Sequence, residues 1–571
     1  MIAARVVLDV DASVAGLLIE PGGALVFDPD RSRTLETSGN LLVEGRLVMR
    51  PARPEVDHRV VFTDVDEDGF VGGGMDPLDS DVGLWIMGSG AVSLRGTSKR
   101  AWTRAAGSVP AGETSIELED DPAGWRVGDE IVIAPTGPPA GDGQADAYDS
   151  ATVVSIDGRA IGLSEPTSVS HPEVSVGRDR TFTAEVLNLS RNVRIEGTAG
   201  GRSHVFIRSS RPQTIRNVAV RHMGPRRSDA FGDFVLGRYA IHIHECGDGS
   251  RGSRVVGVVV RDTGSHAFVA HNSHGVTFRR CVSHDTLEIP YWWDHEEASR
   301  SHDTRYEGCV ASAATSDGDA GRLAGFFMGG GRRNVATGCV AVGIGGSDNS
   351  SGFFWPGARS EGVWSFEGNL AHHCQNGIFT WQNTGRLHVI SEFVGYHNRG
   401  YGIVHGAHRN PYWYLDSILY GNAAGGVRLS ALSRNTEAMT FGRVLFDQAG
   451  MSPHCVRTAP HARPGQAPGV FQGCEFKGYT DSAMAFESIG PAAEAELFDV
   501  SDCAFEGNEF WLDSQIHADS IIRVFDTALG TISLHRADQE GEWRPEWNAR
   551  VRLLSAPGPA AGPKGARGNP A

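Results

Sequence analysis

His242 and His244, separated by one residue, are followed by His271 after 27 residues and by Asp294 after another 23. Imidazoles offer a metal neutral nitrogens and a carboxylate offers an anionic oxygen. Two or three histidines plus one acid therefore make a transition-metal shell with a position left for water or substrate. His242 and His244 fall on one face of any strand that holds both, because strand side chains alternate with period two. The alternative reading is a ladder of imidazoles that hydrogen-bond along a repetitive surface and need no metal. Proton transfer at a metal centre would fall to nearby carboxylates, here Asp294, Glu296, Glu245 and Asp285.

Such residues act together only if the chain stacks them, and a recurring phrase predicts that it does. An apolar-x-apolar-x phrase begins at Ala240 (AIHIHE), Ala267 (AFVAHN), Gly325 (GFFMGG), Gly352 (GFFWPG), Gly377 (GIFTWQ), Gly402 (GIVHGA) and Gly426 (GVRLSA). From Gly325 the gaps are 27, 25, 25 and 24 residues, the length of one coil of a β-solenoid. Counting the first residue as zero, position four is His244, then His271 and, within one residue, Asp294. Coils stacked about 4.8 Å apart would bring these side chains within reach of one ion. A second register, Val258, Cys281, Cys309, Cys339, Asn369, Phe393, Ile418, Val444, Cys474 and Cys503, predicts one inward column with buried free thiols. No CxxC pair marks a zinc site among the 8 cysteines.

The expected organisation is all-β. Residues 1–100 read as short strands with glycine turns, 101–183 as a small β-barrel-like module, 184–526 as the solenoid, and 527–571 as terminal strands with a Pro/Gly/Ala tail that has nothing to bury. Tyr291, Trp292, Phe327, Phe354, Trp355 and Phe379 follow the histidines on the same strip, and their outward half predicts a shallow trough for flat sugar rings. Arginines are dense nearby, Arg238 among them, and suit carboxylates. The net charge of −17 excludes nucleic acid as the expected partner, since duplex binding needs a basic face. No 18-residue apolar run predicts a membrane span, and Met1 leads straight into a strand-like segment without a leader pattern. A soluble monomer is expected, with its compartment open.

The segments LRGTSKRAWTRA, WRVGDEIVIAPT, AEVLNLSRNVRIEG, VRHMG, GRYAIHIHECGD and SHDTLEIPYWWDHEE, in this order, resemble the eight-glycine-domain family over roughly Arg5 to Val310. That family comprises the cell-migration-inducing and cell-surface hyaluronidases and the fibrocystin-like proteins. The resemblance implies an N-terminal eight-glycine β-domain packed on a right-handed parallel β-helix, an extracellular setting and, in some members, calcium-dependent cleavage of hyaluronan. The family's RYPIHFH phrase falls on Arg238 to His244, its VHG phrase on Ala270, His271 and Asn272, and its FLEDG phrase on Trp292, Trp293, Asp294, His295 and Glu296. In the last, Asp stands for Glu and His for Asp, which adds His295 as a ligand. One divalent ion is therefore expected, with zinc, iron, copper or manganese favoured over calcium. Three functions follow: a metal-dependent enzyme cleaving an acidic, hyaluronan-like polysaccharide, a metal-dependent oxidoreductase or small-molecule-modifying enzyme on the same face, or a non-catalytic glycan-binding or scaffold protein.

Overall fold

The structure is a computed structural model. It describes residues 1–139, 147–177, 180–227, 234–292, 300–315, 323–355, 362–381, 386–406, 411–429, 439–458, 469–486, 496–507, 510–512, 521–525, 527 and 552–553. Two compact units divide the chain, Met1–Trp381 with Val394–Gly400, and Gln382–Phe393 with Tyr401–Ala571. Each is a parallel β-helix whose coil contributes one strand to each of three sheets. Among the described residues there is no α-helix.

In the first unit, the histidine-bearing sheet runs in register through Leu84–Gly88, Val205–Ser209, Ile241–Gly247, Phe268–Ser273, Tyr291–Trp292, Ala324–Phe327, Ser351–Trp355 and Ile378–Thr380, every pair parallel. Inward positions stack like on like. Phe268, Tyr291, Phe326 and Phe353 form a ladder with ring centroids 4.9, 4.4 and 4.9 Å apart and nearly parallel planes. Beyond their buried area, stacked aromatic rings add favourable contact energy.

The next two sheets meet at a two-residue corner. Its first residue is left-handed in coil after coil: Asn217 (φ 51°), Gly257 (63°), Arg280 (49°), Gly308 (60°), Gly338 (60°) and Gly368 (65°). The amide there donates to the following coil, Asn217 to Val256, Gly257 to Arg279, Arg280 to Glu307 and Gly308 to Thr337. Glycine adopts this conformation without the Cβ penalty that Arg280 must bear. The second residue of the corner points inward, where Cys281, Cys309 and Cys339 are buried free thiols and Asn369 accepts the Cys339 amide at 2.9 Å.

Residues Arg5–Arg95, expected as short strands of an N-terminal eight-glycine β-domain, supply strands to the same three parallel sheets. After them the chain leaves the coil to form an antiparallel module, with Trp102–Arg104, Ser115–Glu117, Glu130–Ile133, Asp149–Asp157, Ala160–Leu163 and Glu185–Asn188 in one six-stranded sheet. Glu185–Asn188, read from sequence as the start of the solenoid, closes this module against Trp102–Arg104 and Glu130–Ile133, and the coil resumes at Val193–Glu196.

The module docks on the coils through a buried polar chain that sequence reading did not anticipate. Arg104 donates to Glu185 Oε1 at 3.0 Å, and His372 Nε2 meets Glu185 Oε2 at 3.1 Å. His372 Nδ1 lies 2.9 Å from His373 Nδ1, and His373 Nε2 donates to the Gly137 carbonyl at 2.7 Å. Burial penalises the Glu185 carboxylate, but His372 and Arg104 outweigh it and hold its pKa at about 2.

In the second unit the same coil recurs, with Tyr401–His405, Gly425–Leu429, His454–Thr458 and Ser482–Phe486 parallel and in register. Here the inward column differs from the expected one by a residue. Ile418 pairs with Leu445, so the partner of Val444 is Ser417, whose hydroxyl accepts the Phe393 amide at 3.2 Å. A hydroxyl that caps a corner amide does the job of Asn369, and an apolar-only pattern overlooks it.

Truncating one rung of the ladder, Phe326→Ala, should cost about 3–5 kcal/mol, read as a lowered urea midpoint. The Glu185 contribution should be complete above its ordinary value near 4.5 and vanish as pH falls toward 2. The melting temperature of Glu185→Gln should therefore lie well below wild type at pH 7, and the gap should close across that acid window.

Candidate metal centre

His242 and His244 occupy alternate outward positions of Ile241–Gly247, while Ile241 and Ile243 fill the core between them. In the adjacent coil His271 stands directly opposite His244. Past these positions the backbone turns left-handed at Glu245 (φ 47°) and Asn272 (φ 44°), so each imidazole sits at the last extended position before a corner. The same local geometry in two coils brings the rings together.

His242 Nδ1 donates to the Gly237 carbonyl at 2.9 Å, which leaves the Nε2 lone pair free. His244 Nδ1 lies 3.1 Å from that Nε2 and 3.0 Å from His271 Nδ1. The three donor atoms lie within 4.8 Å of one another. Tetrahedral ligands around an ion with metal–nitrogen bonds near 2.0–2.1 Å sit about 3.3 Å apart, so the spacing suits a shared centre. A single proton cannot satisfy both contacts of His244 Nδ1, whereas a cation can satisfy all three nitrogens.

The surroundings keep two of these rings from taking protons. Burial, reinforced by His244, pushes the His242 pKa well below the usual imidazole value. For His244, burial first and then His271, Arg208 and Arg238 lower it to about 3. Tyr239 packs on His242 at 4.7 Å. Asn272 lies beside His271, its Oδ1 accepting the Arg300 amide at 2.7 Å and its Nδ2 3.3 Å from His271 Nε2. An ion at His271 Nδ1 requires Nε2 to keep the ring proton, so there the contact is a close approach and not a bond. Held neutral and partly dehydrated, His242 and His244 are arranged to donate lone pairs.

The remaining sequence candidates separate. Val269 pairs with Trp292, two residues short of Asp294, and Asp294, His295 and Glu296 lie outside the described residues. Among the described residues no carboxylate joins the triad. Glu245 is exposed directly after His244. Asp285 belongs elsewhere. It lies on Val282–Thr286, a strand of a different sheet, in a cleft with Asp262, His284 and Tyr148. Its distance in sequence from His271 is about half a coil, which turns it to another side of the helix.

Arg238, expected at the substrate, is fully buried. Its Nε bonds Asp81 Oδ2 at 2.8 Å, and its guanidinium lies 4.6 Å over Trp85 and 5.5 Å over Phe206. It thus closes the outward side of the coils preceding the triad, with His204 buried beneath Trp85 and bonded to the Asp81 carbonyl at 3.0 Å.

Nor do the aromatics form an open trough. Tyr291 is core, its hydroxyl bonded to the Cys281 carbonyl at 3.0 Å. Trp292 stacks on His266 at 3.9 Å. Phe327, Phe354 and Phe379 do form one outward column, at 5.3 and 5.7 Å, yet they and Trp355 are at most 5% exposed. Strand alternation assigns a side chain to a face but does not say whether that face is covered.

The fold and site together define a parallel β-helix with an imidazole triad on one sheet. No family model matches the chain. It is 26% identical to fibrocystin-L of Mus musculus over 49% of its own length and 7% of that protein's. It is also 26% identical to the cell surface hyaluronidase of Danio rerio, over 30% of its own length and 13% of that protein's. It therefore spans a small fraction of these relatives. Among solved structures, the catalytic domain of GH87 alpha-1,3-glucanase in complex with nigerose is 10% identical, with 80% of this chain and 92% of that one covered and a TM-score of 0.36. Among the described residues no helix is long and apolar enough to cross a membrane.

Removing Arg238 would leave Asp81 charged and buried without its partner. Arg238→Ala should lower stability by about 3–5 kcal/mol in denaturant titrations, the signature of a structural rather than a substrate-contacting residue.

Proposed function

We propose that this protein is a metal-dependent carbohydrate-active enzyme that cleaves an acidic, uronate-containing polysaccharide along the face carrying His242, His244 and His271. The convergence of three ring nitrogens within 4.8 Å carries this reading. The likeness to cell surface hyaluronidase supports the glycan substrate and an extracellular setting. An ion held by His242 Nε2, His244 Nδ1 and His271 Nδ1 would supply Lewis acidity and an acidified water. All-nitrogen donors suit zinc, copper, iron or manganese better than calcium, which takes oxygen ligands.

The chain's own groups orient this centre. The Gly237 carbonyl fixes the His242 tautomer and leaves its Nε2 lone pair facing the ion. Glu245, exposed and next to His244 in sequence, is a candidate for proton transfer, with Asp294 and Glu296 further candidates by sequence. The nitrogen-only shell also suits redox-active copper or iron, which favours an oxidoreductase as the second reading.

Protein purified without added metal should carry about one transition-metal ion per chain, a single four-coordinate site. His244→Ala and His271→Ala should each lose the ion and reduce cleavage of hyaluronan, chondroitin or pectate by about 100-fold, read by release of reducing ends. Unchanged metal content and cleavage in both variants would remove the proposal. Oxidised sugar products in place of new reducing ends would select the second reading.

A further inference from the structure

Among the described residues, the corner that follows the triad-bearing strands carries a row of hydrogen-bond donors. His274, His302 and Arg332 occupy equivalent positions in three successive coils, and Arg300 lies beside them. The His302 amide donates to His274 Nδ1 at 3.2 Å, and the Arg332 amide donates to His302 Nδ1 at 3.0 Å. Each bond leaves the ring proton on Nε2, so both imidazoles present an N–H. Their rings lie 4.7 Å apart.

Among the described residues, Asp303 and Asp248 are engaged by other arginines. Asp303 receives two bonds from Arg333, at 2.6 and 2.8 Å, and one from Arg251 at 2.7 Å. Arg251 also holds Asp248 at 2.6 Å. Arg300 and Arg332 have no carboxylate partner among the described residues. With His302, Gly331 and Arg333 they line a cavity of about 340 Å³. Among the described residues this is a cluster of positive donors on a chain of net charge −17. Asn272 ties the corner to the triad, since its Oδ1 accepts the Arg300 amide while its Nδ2 faces His271.

We propose that Arg300, Arg332, His302 and His274 form an oxyanion-recognition subsite that reads the acidic group of the glycan next to the imidazole triad. This rests on the glycan-cleaving reading of that face. Guanidinium forks bind planar carboxylates and sulfates through paired N–H bonds, and the two imidazole N–H groups extend the row of donors along the coils. The shared ligand chemistry is an oxyanion, supplied by a uronate carboxylate or a sulfate ester. Because the arginines are exposed, salt should weaken the interaction.

The test is direct binding to the full chain. The probes are a hyaluronan hexasaccharide, the same hexasaccharide with its carboxyls reduced to alcohols, and a carboxyl-reduced chondroitin sulfate hexasaccharide. Wild type should bind at least one charged probe about tenfold more tightly than the neutral one, with the preference shrinking as salt rises. The hyaluronan arm reports carboxylate and the chondroitin arm sulfate. Arg300→Gln with Arg332→Gln should abolish the preference while leaving neutral-probe affinity and melting temperature unchanged. Equal or absent binding of charged and neutral probes by wild type, or a preference that survives in the double variant, would overturn the subsite. Repeating the binding with His244→Ala/His271→Ala separates the two proposals. A preference that persists there keeps the subsite even if metal and cleavage prove absent, and cleavage without any preference removes the subsite alone.

Discussion

The candidate site and the core beneath it depend on in-register stacking of parallel coils. Backbone hydrogen bonds hold successive strands about 4.8 Å apart, so any residue type repeated at the coil period becomes a column. Ring columns such as Phe268, Tyr291, Phe326 and Phe353 result inside, and the His244–His271 pair results outside. The left-handed corner residues keep that register. Each turns the chain between sheets and passes its amide to the next coil, and a shift by one residue would exchange the inward and outward sets together.

Several buried polar groups on this scaffold pair with one another over long sequence distances. At the docked module, Arg104, Glu185, His372, His373 and the Gly137 carbonyl form a continuous chain. Beneath the outward face, Arg238 and Asp81 neutralise one another under Trp85. The triad is different in kind. Three nitrogens converge there with too few protons to satisfy their contacts, and burial discourages protonation of His242 and His244. A cluster that is costly when left to itself gains most from a cation.

Much of the fold was legible because a solenoid repeats its local pattern. The phrase beginning at Ala240, Ala267, Gly325, Gly352 and Gly377 marks residues that pair in the structure, and the cysteine column is buried as read. The errors have physical causes. At Ser417 a hydroxyl replaces an apolar filler, so an apolar pattern selects the neighbouring Ile418 instead. Glu185–Asn188 looks like a coil strand but completes the module, because alternation alone does not distinguish parallel from antiparallel partners.

The sequence by itself determined periodicity: which residues recur at one coil position, which alternate in and out, and that His242, His244 and His271 can share a face. Those are local properties, set by strand alternation and corner chemistry. Only the tertiary structure decided which outward faces are covered and which titratable groups meet. It buried Arg238 against Asp81 and closed over Phe327, Phe354 and Phe379. It turned Asp285 to another sheet, and it joined His372 to Glu185 across 187 residues. Coverage and long-range pairing depend on how distant segments pack, and no repeat within a coil encodes that.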